Sequence, residues 1–488
     1  MARDLHDARF DEAGSTLVRQ AILVTGTNDG VFRGDLLIRE GRIVEVAPQL
    51  DVTDAEIVDG TDYIVCAGFI DTHRHLWQTV HKGFVYDMSL LEVFTSLYGA
   101  YSMRFRPEDI YAATLLGRLT ALDAGVTTVL DWAHNVSTTA MEDAGIQALR
   151  DAGGRSIFGH GYVGDRLFDI PRYYDQPRTF EAANRIRQIL PDDDALVSSC
   201  YLGLEPPFFI SLEACGREYE IARELGMRIS THLNSLGPDG TAPFPTLEAM
   251  HKAGLMGDDI TYVHLIGATD HEMQLIADTG GTASVSPQID AHVESFAAPP
   301  TGRLLAAGVR PSLSIDGTIG ASEDFFSQMR CAFDVERTIT KNKFEPRPAD
   351  YKLTLNDVFD FATLQGARAI GQGHRLGSIE PGKVADLLFI STTSPNMMPV
   401  IHPLAALVFH ANTSDIDTVL VEGKPVKRNG RLVADLDDVR RRVEETVDHL
   451  YWRAESELPP QAARPHPAMR PCGSIQEGIR NAADHHQL

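Results

Sequence analysis

The chain has 488 residues, 43% of them hydrophobic, so it can bury a core larger than that of one small domain. Its 44 Lys and Arg residues against 68 Asp and Glu residues give a net charge of −24. This charge repels phosphate backbones and anionic lipids, so neither nucleic acid nor a membrane surface is expected as a partner.

Cysteine usage and the N-terminal segment indicate the compartment. The five cysteines are far apart and form no Cys-x-x-Cys pair, which fits reduced buried thiols better than disulfides or a thiolate zinc site. The first residues, MARDLHDARFDEAG, are charged throughout, and no apolar run approaches the roughly 20 residues of a membrane helix. We therefore expect a cytoplasmic protein.

Both ends of the chain carry the pattern of β-hairpins. Residues 1–66 contain short apolar runs broken at Asn28-Asp29-Gly30 and Glu40-Gly41. Residues 376–434 show the same pattern, with Asn429-Gly430 as a hairpin signal. Residues 435–488 are expected to form a helix over 435–456 and then a proline-rich tail.

The middle of the chain, residues 67–375, repeats a helix, a glycine and a strand. One unit begins at Pro107, stops at Gly125 and continues as the β-branched run 126–130. Such alternation requires parallel strands with helical crossovers. The candidate strands lie near 67–72, 126–131, 156–160, 196–203, 227–231, 260–263, 282–286 and 309–315. Eight strands in this length predict a (β/α)8 barrel; a doubly wound open sheet is the alternative, but no Gly-x-Gly-x-x-Gly turn follows an early strand.

Polar residues follow nearly every predicted barrel strand, where such barrels build their active sites. His73 and His75 lie two apart on one strand, so both imidazoles face the same side while Arg74 points away. His232, His264 and Asp316 come at the equivalent ends of other strands. Three imidazole nitrogens with one carboxylate oxygen can form a mononuclear Zn²⁺ or Fe²⁺ site that leaves room for water.

The motifs GFIDTHRH, DAGVTTVLD, RISTHLN, VHL, GVRPSLSIDGT and LGSIEPGKVADLLFI together resemble the amidohydrolase superfamily, in particular its cytosine deaminase and triazine hydrolase-like branch. The resemblance covers most of the chain. It implies a metal-dependent barrel with a small β-sandwich built from both chain ends.

The resemblance also implies the roles of individual residues. His73, His75, His232 and Asp316 would hold one divalent metal, zinc first, with iron or manganese as alternatives. A single metal is implied because SSCYLGLEPPFF, at the fourth strand, has no lysine to bridge two ions. Metal binding lowers the pKa of a coordinated water towards about 7. Asp316 would take its proton, and His264 would stabilise the oxyanion.

One position departs from the pattern of the branch. Its deaminases usually carry a glutamate three residues after the fifth-strand histidine, and this chain has Ser235 there. A serine hydroxyl is too weak an acid to relay a proton, which favours an amide substrate or a ring carbon with a better leaving group. Glu205, after the fourth strand, is a candidate substitute.

The predicted function is hydrolysis of a C–N bond in a small cyclic or heteroaromatic compound. Alternatives are hydrolytic dechlorination of a ring at the same site, and a non-catalytic scaffold with the amidohydrolase fold. The partners implied are a small-molecule substrate and further copies of the chain in a homo-oligomer. Candidate substrate-binding residues share positions near the strand ends; they are Trp77, Gln78, Trp132, His134, Glu205 and Gln288.

Overall fold

The computed structural model describes residues 14–28, 30–88, 90–161, 179–235, 244–292, 298–341 and 353–453, together with Leu5 and Phe10. Eight parallel strands form one sheet in sequential order. These are β6 (Phe69–Arg74), β7 (Val126–Asp131), β8 (Arg155–His160), β9 (Val197–Gly203), β10 (Ile229–Leu233), β11 (Ile260–His264), β12 (Thr282–Val285) and β13 (Ser312–Leu313). The sheet curves into a nearly closed barrel because β13 returns to β6.

Helices connect successive barrel strands and pack around them. They are α1 (Leu90–Val93), α2 (Pro107–Asp123), α3 (Thr139–Ala152), α4 (Phe180–Ile189), α5 (Leu212–Glu224), α6 (Thr246–Lys252), α7 (Asp270–Thr279), α8 (Pro287–His292), α9 (Thr301–Ala306), α10 (Phe325–Lys341), α11 (Leu355–Ala362) and α12 (Leu364–Ala369). Two more, α13 (Pro403–Ala405) and α14 (Leu436–Val447), lie nearer the C-terminus. Thr and Ser caps begin several of them; the Thr138 hydroxyl, for example, accepts a hydrogen bond from the Met141 N–H ahead of α3.

Main-chain hydrogen bonds close the barrel at its mouth. The N–H of His75 donates to the Asp316 carbonyl at 2.7 Å, and the N–H of Asp316 donates to the His73 carbonyl at 3.0 Å. Deeper in the seam, the Thr72 hydroxyl lies 2.8 Å from that of Ser312. The same backbone bonds that close the barrel therefore place two histidines beside one aspartate.

The two chain ends share a second, nine-stranded mixed sheet. Its strands are β1 (Ser15–Val24), β2 (Val31–Arg39), β3 (Arg42–Ala47), β4 (Glu56–Asp59), β5 (Tyr63–Ala67), β14 (Leu387–Ser391), β15 (Ile416–Val421), β16 (Lys424–Arg428) and β17 (Arg431–Leu432). A bridge between Arg42 and Val384 joins the β3 edge to the segment before β14. The sheet thus folds over a hydrophobic core of its own.

A buried arginine connects the barrel to the small sheet. Arg155, at the start of β8, donates to Asp386 Oδ2 at 3.2 Å and to Glu422 Oε1 at 2.8 Å. Its side chain is 1% exposed. A buried charge needs such partners, so this ion pair helps to fix the small sheet against the barrel.

The structure confirms the predicted fold class: a (β/α)8 barrel with a small β domain made from both termini. Strand bounds shift by a few residues; β6 runs to Arg74, so His73 lies within the strand rather than after it. The predicted helix at 435–456 appears as α14 followed by a π-helical turn over Asp448–Arg453. The domain boundaries stay a prediction, and the tail beyond residue 453 lies outside the described residues. None of the described helices has the length and apolar character needed to span a bilayer.

Candidate metal centre

Asp316 meets both histidines of the His-x-His pair. Its Oδ1 lies 3.0 Å from Nε2 of His73 and 3.2 Å from Nε2 of His75. Both histidines are buried, while the Asp316 side chain keeps 15% exposure. The imidazole of His75 is held on the side away from Asp316, because its Nδ1 lies 3.0 Å from the carbonyl oxygen of Trp132. The arrangement points three donor atoms at one small region of the mouth.

His232 completes the set from β10. Its Nε2 lies 3.2 Å from Nε2 of His73. Within the described residues, donor atoms of His73, His232, His264 and Asp316 all lie within 4.8 Å of one another. His75 is outside that mutual group but touches its carboxylate. The structure therefore brings together all four residues predicted as ligands, with His264 beside them.

The donor set fits a divalent metal ion by its geometry. Two ligand atoms on a tetrahedral zinc, each bonded at 2.0–2.1 Å, would lie about 3.3 Å apart. The separations of 3.0–3.2 Å among these donors are close to that value. Two neutral imidazole nitrogens that face each other with their lone pairs at this distance repel, and a cation bound between them would remove that repulsion.

The protonation states of the donor residues also favour binding of a cation. Burial lowers the pKa of His73 to about 3 and that of His232 well below its usual value, so both imidazoles are neutral. Burial alone would raise the pKa of Asp316, but hydrogen bonds with His73 and His75 outweigh it and hold that pKa well below its ordinary value. Neutral imidazole and ionised carboxylate are the forms that bind metal.

His264 is held by a carboxylate on its far side. Its Nδ1 lies 2.9 Å from Oδ1 of Asp290, which is buried on α8. Burial would lower the pKa of His264, yet the charge of Asp290 outweighs it and the pKa is raised. With Nδ1 engaged in this way, Nε2 is left to face the metal centre, where it can donate to an oxyanion.

The backbone is strained at several described positions of this mouth. Among them, His264, Leu265 and Asp316 have φ values of 70°, 60° and 63°. Non-glycine residues in this region cost about 1–3 kcal/mol each and persist only where the surrounding structure imposes them. Such clustering is typical of functional sites, and here it aims two of the predicted catalytic side chains, His264 and Asp316.

Trp132 forms an aromatic wall against the centre. Its ring centroid lies 4.0 Å from that of His232 and 5.5 Å from that of His75. The indole N–H is buried, with no hydrogen-bond partner in the part of the chain that the structure describes. His134 follows, with its ring centroid 4.4 Å from that of His75. These two predicted substrate-binding residues lie directly beside the ligands.

Trp77 and Gln78 lie one layer further out. The Trp77 ring packs 5.5 Å from His134 and 5.7 Å from Tyr98. Gln78 donates from Nε2 to the Tyr98 hydroxyl at 2.9 Å, and its buried Oε1 has no partner within the described ranges. A side chain at Gly317, next to Asp316, would collide with that Oε1. Gln78 therefore borders the centre, whereas Trp77 mainly supports its neighbours.

The last two predicted substrate-binding residues have different surroundings. Glu205 is fully buried, and its Oε2 accepts the N–H of Asn234 at 2.9 Å. Gln288 uses its Oε1 to accept from the Ser322 N–H at 3.0 Å and from Gln328 Nε2 at 3.0 Å. These contacts connect α8 to α10 and to the loop before α10, and binding of substrate by Gln288 stays a prediction.

Sequence reasoning missed two residues of the site. Asp290 lies two positions after the predicted Gln288, but only the fold shows that α8 turns it towards His264. Tyr98 lies on a π-helical segment, Phe94–Tyr101, that has no periodic signal. Its hydroxyl accepts a hydrogen bond from Gln78, which borders the centre; burial and the charge of Asp316 raise the pKa of this phenol.

Fold and site together define a barrel hydrolase built around a metal centre. Residues 64–426 match the model of the amidohydrolase family. The chain belongs to this family, and the predicted resemblance is confirmed.

Curated relatives are similar over nearly their full length. The chain is 28% identical over 427 residues to a 5'-deoxyadenosine deaminase of Methanothermobacter thermautotrophicus, covering 85% of this chain and 94% of the relative. It is 28% identical over 429 residues to a 5-methylthioadenosine/S-adenosylhomocysteine deaminase of Symbiobacterium thermophilum, covering 83% of this chain and 91% of that relative.

Solved structures share the fold. An adenosine deaminase from Xanthomonas campestris with bound zinc superposes with a TM-score of 0.76 at 22% identity, covering 89% of this chain and 98% of the other. A triazine hydrolase from Arthrobacter aurescens superposes with a TM-score of 0.76 at 19% identity, covering 89% of this chain and 99% of the other. The predicted class, a metal-dependent hydrolase acting on C–N bonds of small cyclic compounds, is confirmed by the family and its relatives.

Proposed function

We propose that this chain is a zinc-dependent deaminase of a neutral heteroaromatic compound, with a purine nucleoside-like ring as the first candidate. The observation that carries the proposal is the convergence of His73, His75, His232 and Asp316 beside the His264–Asp290 pair. The relatives that are named deaminases of adenosine derivatives support the purine-like ring. The cytoplasmic location and the homo-oligomeric state belong to the same proposal.

The residues of the centre would divide the steps of this reaction among them, and Asp316 would have two tasks. His73, His75, His232 and Asp316 would hold the ion, which when bound supplies an activated water at neutral pH. Asp316 takes a proton from the attacking water. His264, oriented by Asp290, donates a hydrogen bond to the oxygen that becomes negative. Trp132 offers an apolar face for a planar ring.

The neutral character of the substrate follows from the described part of the pocket wall. The side chains that border the centre there include Trp132, His134, Gln78, Tyr98 and Glu205, and none of these carries a fixed positive charge. Burial holds the pKa of His134 well below its usual value, so this imidazole is neutral too. A substrate with an acidic group near the reacting carbon would lack a counter-charge on this wall.

Dechlorination of a ring is a second candidate, favoured by one observation. The buried hydroxyl of Ser235 has no hydrogen-bond partner among the described residues, and a hydroxyl cannot protonate a poor leaving group. Chloride leaves without a proton.

A panel of rings with matched leaving groups tests the proposal. Purines, pyrimidines and triazines that carry an amino group or a chlorine at the same carbon are incubated with the zinc-loaded chain. Release of ammonia from an amino compound is expected. Release of chloride alone would support the second candidate, and turnover of no compound on the panel would overturn the proposed function.

A further inference from the structure

Glu205 is a buried carboxylate that the steps described so far do not use. It lies two residues past β9, and its side chain is fully buried. Its Oε2 accepts the N–H of Asn234, two residues beyond His232. The charge of Glu205 also contributes to the raised pKa of His264. Glu205 therefore lies beside the strand ends that carry His232 and His264.

Its position separates Glu205 from the metal ligands. Within the described residues, the mutual group of donor atoms contains His73, His232, His264 and Asp316, and Glu205 is not a member. His75 is outside that group as well, but its Nε2 lies 3.2 Å from Oδ1 of Asp316. Glu205 instead contacts the main chain at Asn234, so we assign it a role beside the ion rather than on it.

Deamination needs a proton at a second place. Water forms a bond to the ring carbon and gives one proton to Asp316. The C–N bond then breaks with its electron pair on nitrogen, and this nitrogen needs a proton to leave as ammonia. His264 is engaged with the oxygen and with Asp290, so another acid must serve the nitrogen.

We propose that Glu205 is the catalytic residue that protonates the leaving nitrogen. In its acid form Glu205 gives a proton to nitrogen, and the proton that Asp316 took from water afterwards restores Glu205. Water and the amino compound thus become the hydroxylated ring and ammonia, with all atoms accounted for. The inference rests on the proposed function, because only a substrate with an amine leaving group requires this step.

The local structure around Ser235 supports this assignment. Ser235 follows Asn234 directly, has φ 58°, and cannot act as a general acid at neutral pH. The carboxylate of Glu205 contacts the main chain next to it, from the neighbouring strand end. Glu205 thereby supplies from β9 a carboxyl group that β10 does not provide.

The substitution Glu205→Gln tests the proposal with two leaving groups on one ring. A glutamine oxygen can still accept the Asn234 N–H, but the side chain cannot give a proton at neutral pH. The first probes are 5'-deoxyadenosine and its 6-chloro analogue, followed by any amino and chloro pair of the panel that the wild type turns over. We expect kcat for ammonia release to fall by about 100-fold or more. Chloride release should change by less than about threefold, because chloride leaves unprotonated.

Glu272→Gln is the matched control. Glu272 is also fully buried and accepts main-chain N–H groups, from Leu247 and Thr269, but it caps α7. Both activities should persist in this variant, and zinc content and melting temperature are measured for all proteins. Should Glu205→Gln not fold, Glu205→Asn takes its place, since this amide cannot give a proton either, and the same ratio of ammonia to chloride release decides.

Two outcomes overturn the inference while leaving the proposed function intact. In one, Glu205→Gln loses ammonia and chloride release to the same extent, which would make Glu205 structural. In the other, ammonia release is unchanged. A wild-type chain that releases neither product from any pair fails at the earlier step, and the proposed function falls together with the inference.

Discussion

Nδ1 of His264 lies 2.9 Å from Oδ1 of Asp290, between the end of β11 and helix α8. The other carboxylate oxygen accepts the N–H of Ser286 at 3.0 Å, so Asp290 is itself fixed. A carboxylate behind a histidine sets its tautomer and its orientation. This pair aims Nε2 of His264 at the position where negative charge would develop.

Asp290→Asn should therefore impair the reaction without emptying the site. The neutral amide weakens the hold on the imidazole and removes the charge that raises its pKa. We expect kcat to fall by about 10–100-fold, with KM within a fewfold and zinc content unchanged. Steady-state kinetics with metal analysis check this. Wild-type kcat in the variant would show that Asp290 has no positioning role.

The buried carboxyl of Asp131 makes stability depend on pH. Burial raises its pKa from 3.8 to about 7, although Arg74 and the Leu76 N–H oppose that change. Between these pH values the folded chain holds a proton that the unfolded chain lacks, so stability falls as pH rises. Asp131→Asn removes this dependence.

The free energy of unfolding of Asp131→Asn minus that of wild type should thus be larger at pH 8 than at pH 5. This difference should increase by more than about 1 kcal/mol between the two pH values, which corresponds to less than one unit of pKa difference. Melting temperatures of both proteins at the two pH values measure it. An identical difference at both values would mean that Asp131 is ionised throughout.

The Arg155 bridge between barrel and small sheet should be important for stability. Arg155→Ala leaves Asp386 buried and unpaired, for which we expect a loss of about 3–5 kcal/mol. The exposed pair of Arg217 and Glu213 serves as a control, because truncating Arg217 should cost less than about 1 kcal/mol. Denaturant unfolding compares the two variants. Equal effects would show that the buried bridge does not hold the units together.

Sequence patterns predicted the barrel strands well. Seven of the eight were placed within two residues at their starts, because β-branched runs after glycine stops, such as 126–131, mark them clearly. The exception is β13, which comprises only Ser312–Leu313 although a strand over 309–315 was expected. There the ladder gives way to the left-handed turn at Asp316 that aims the carboxylate.

The ligand histidines were predictable for a related reason. Strand ends of a barrel meet at one mouth, so His73, His232 and Asp316 had to converge once the strands were known. Asp290 and Tyr98 were not predictable in this way. Their positions depend on how a short helix and a π-helical segment pack over the mouth, and neither leaves a periodic trace in the sequence.

The metal content of the purified chain tests the central claim most directly. Elemental analysis should find about one equivalent of zinc or another divalent ion in the wild type. Asp316→Asn should lose most of the ion and the activity together, since it removes the carboxylate that meets His73 and His75. Less than about a tenth of an equivalent in the wild type, with no turnover restored by zinc, iron or manganese, would contradict the account.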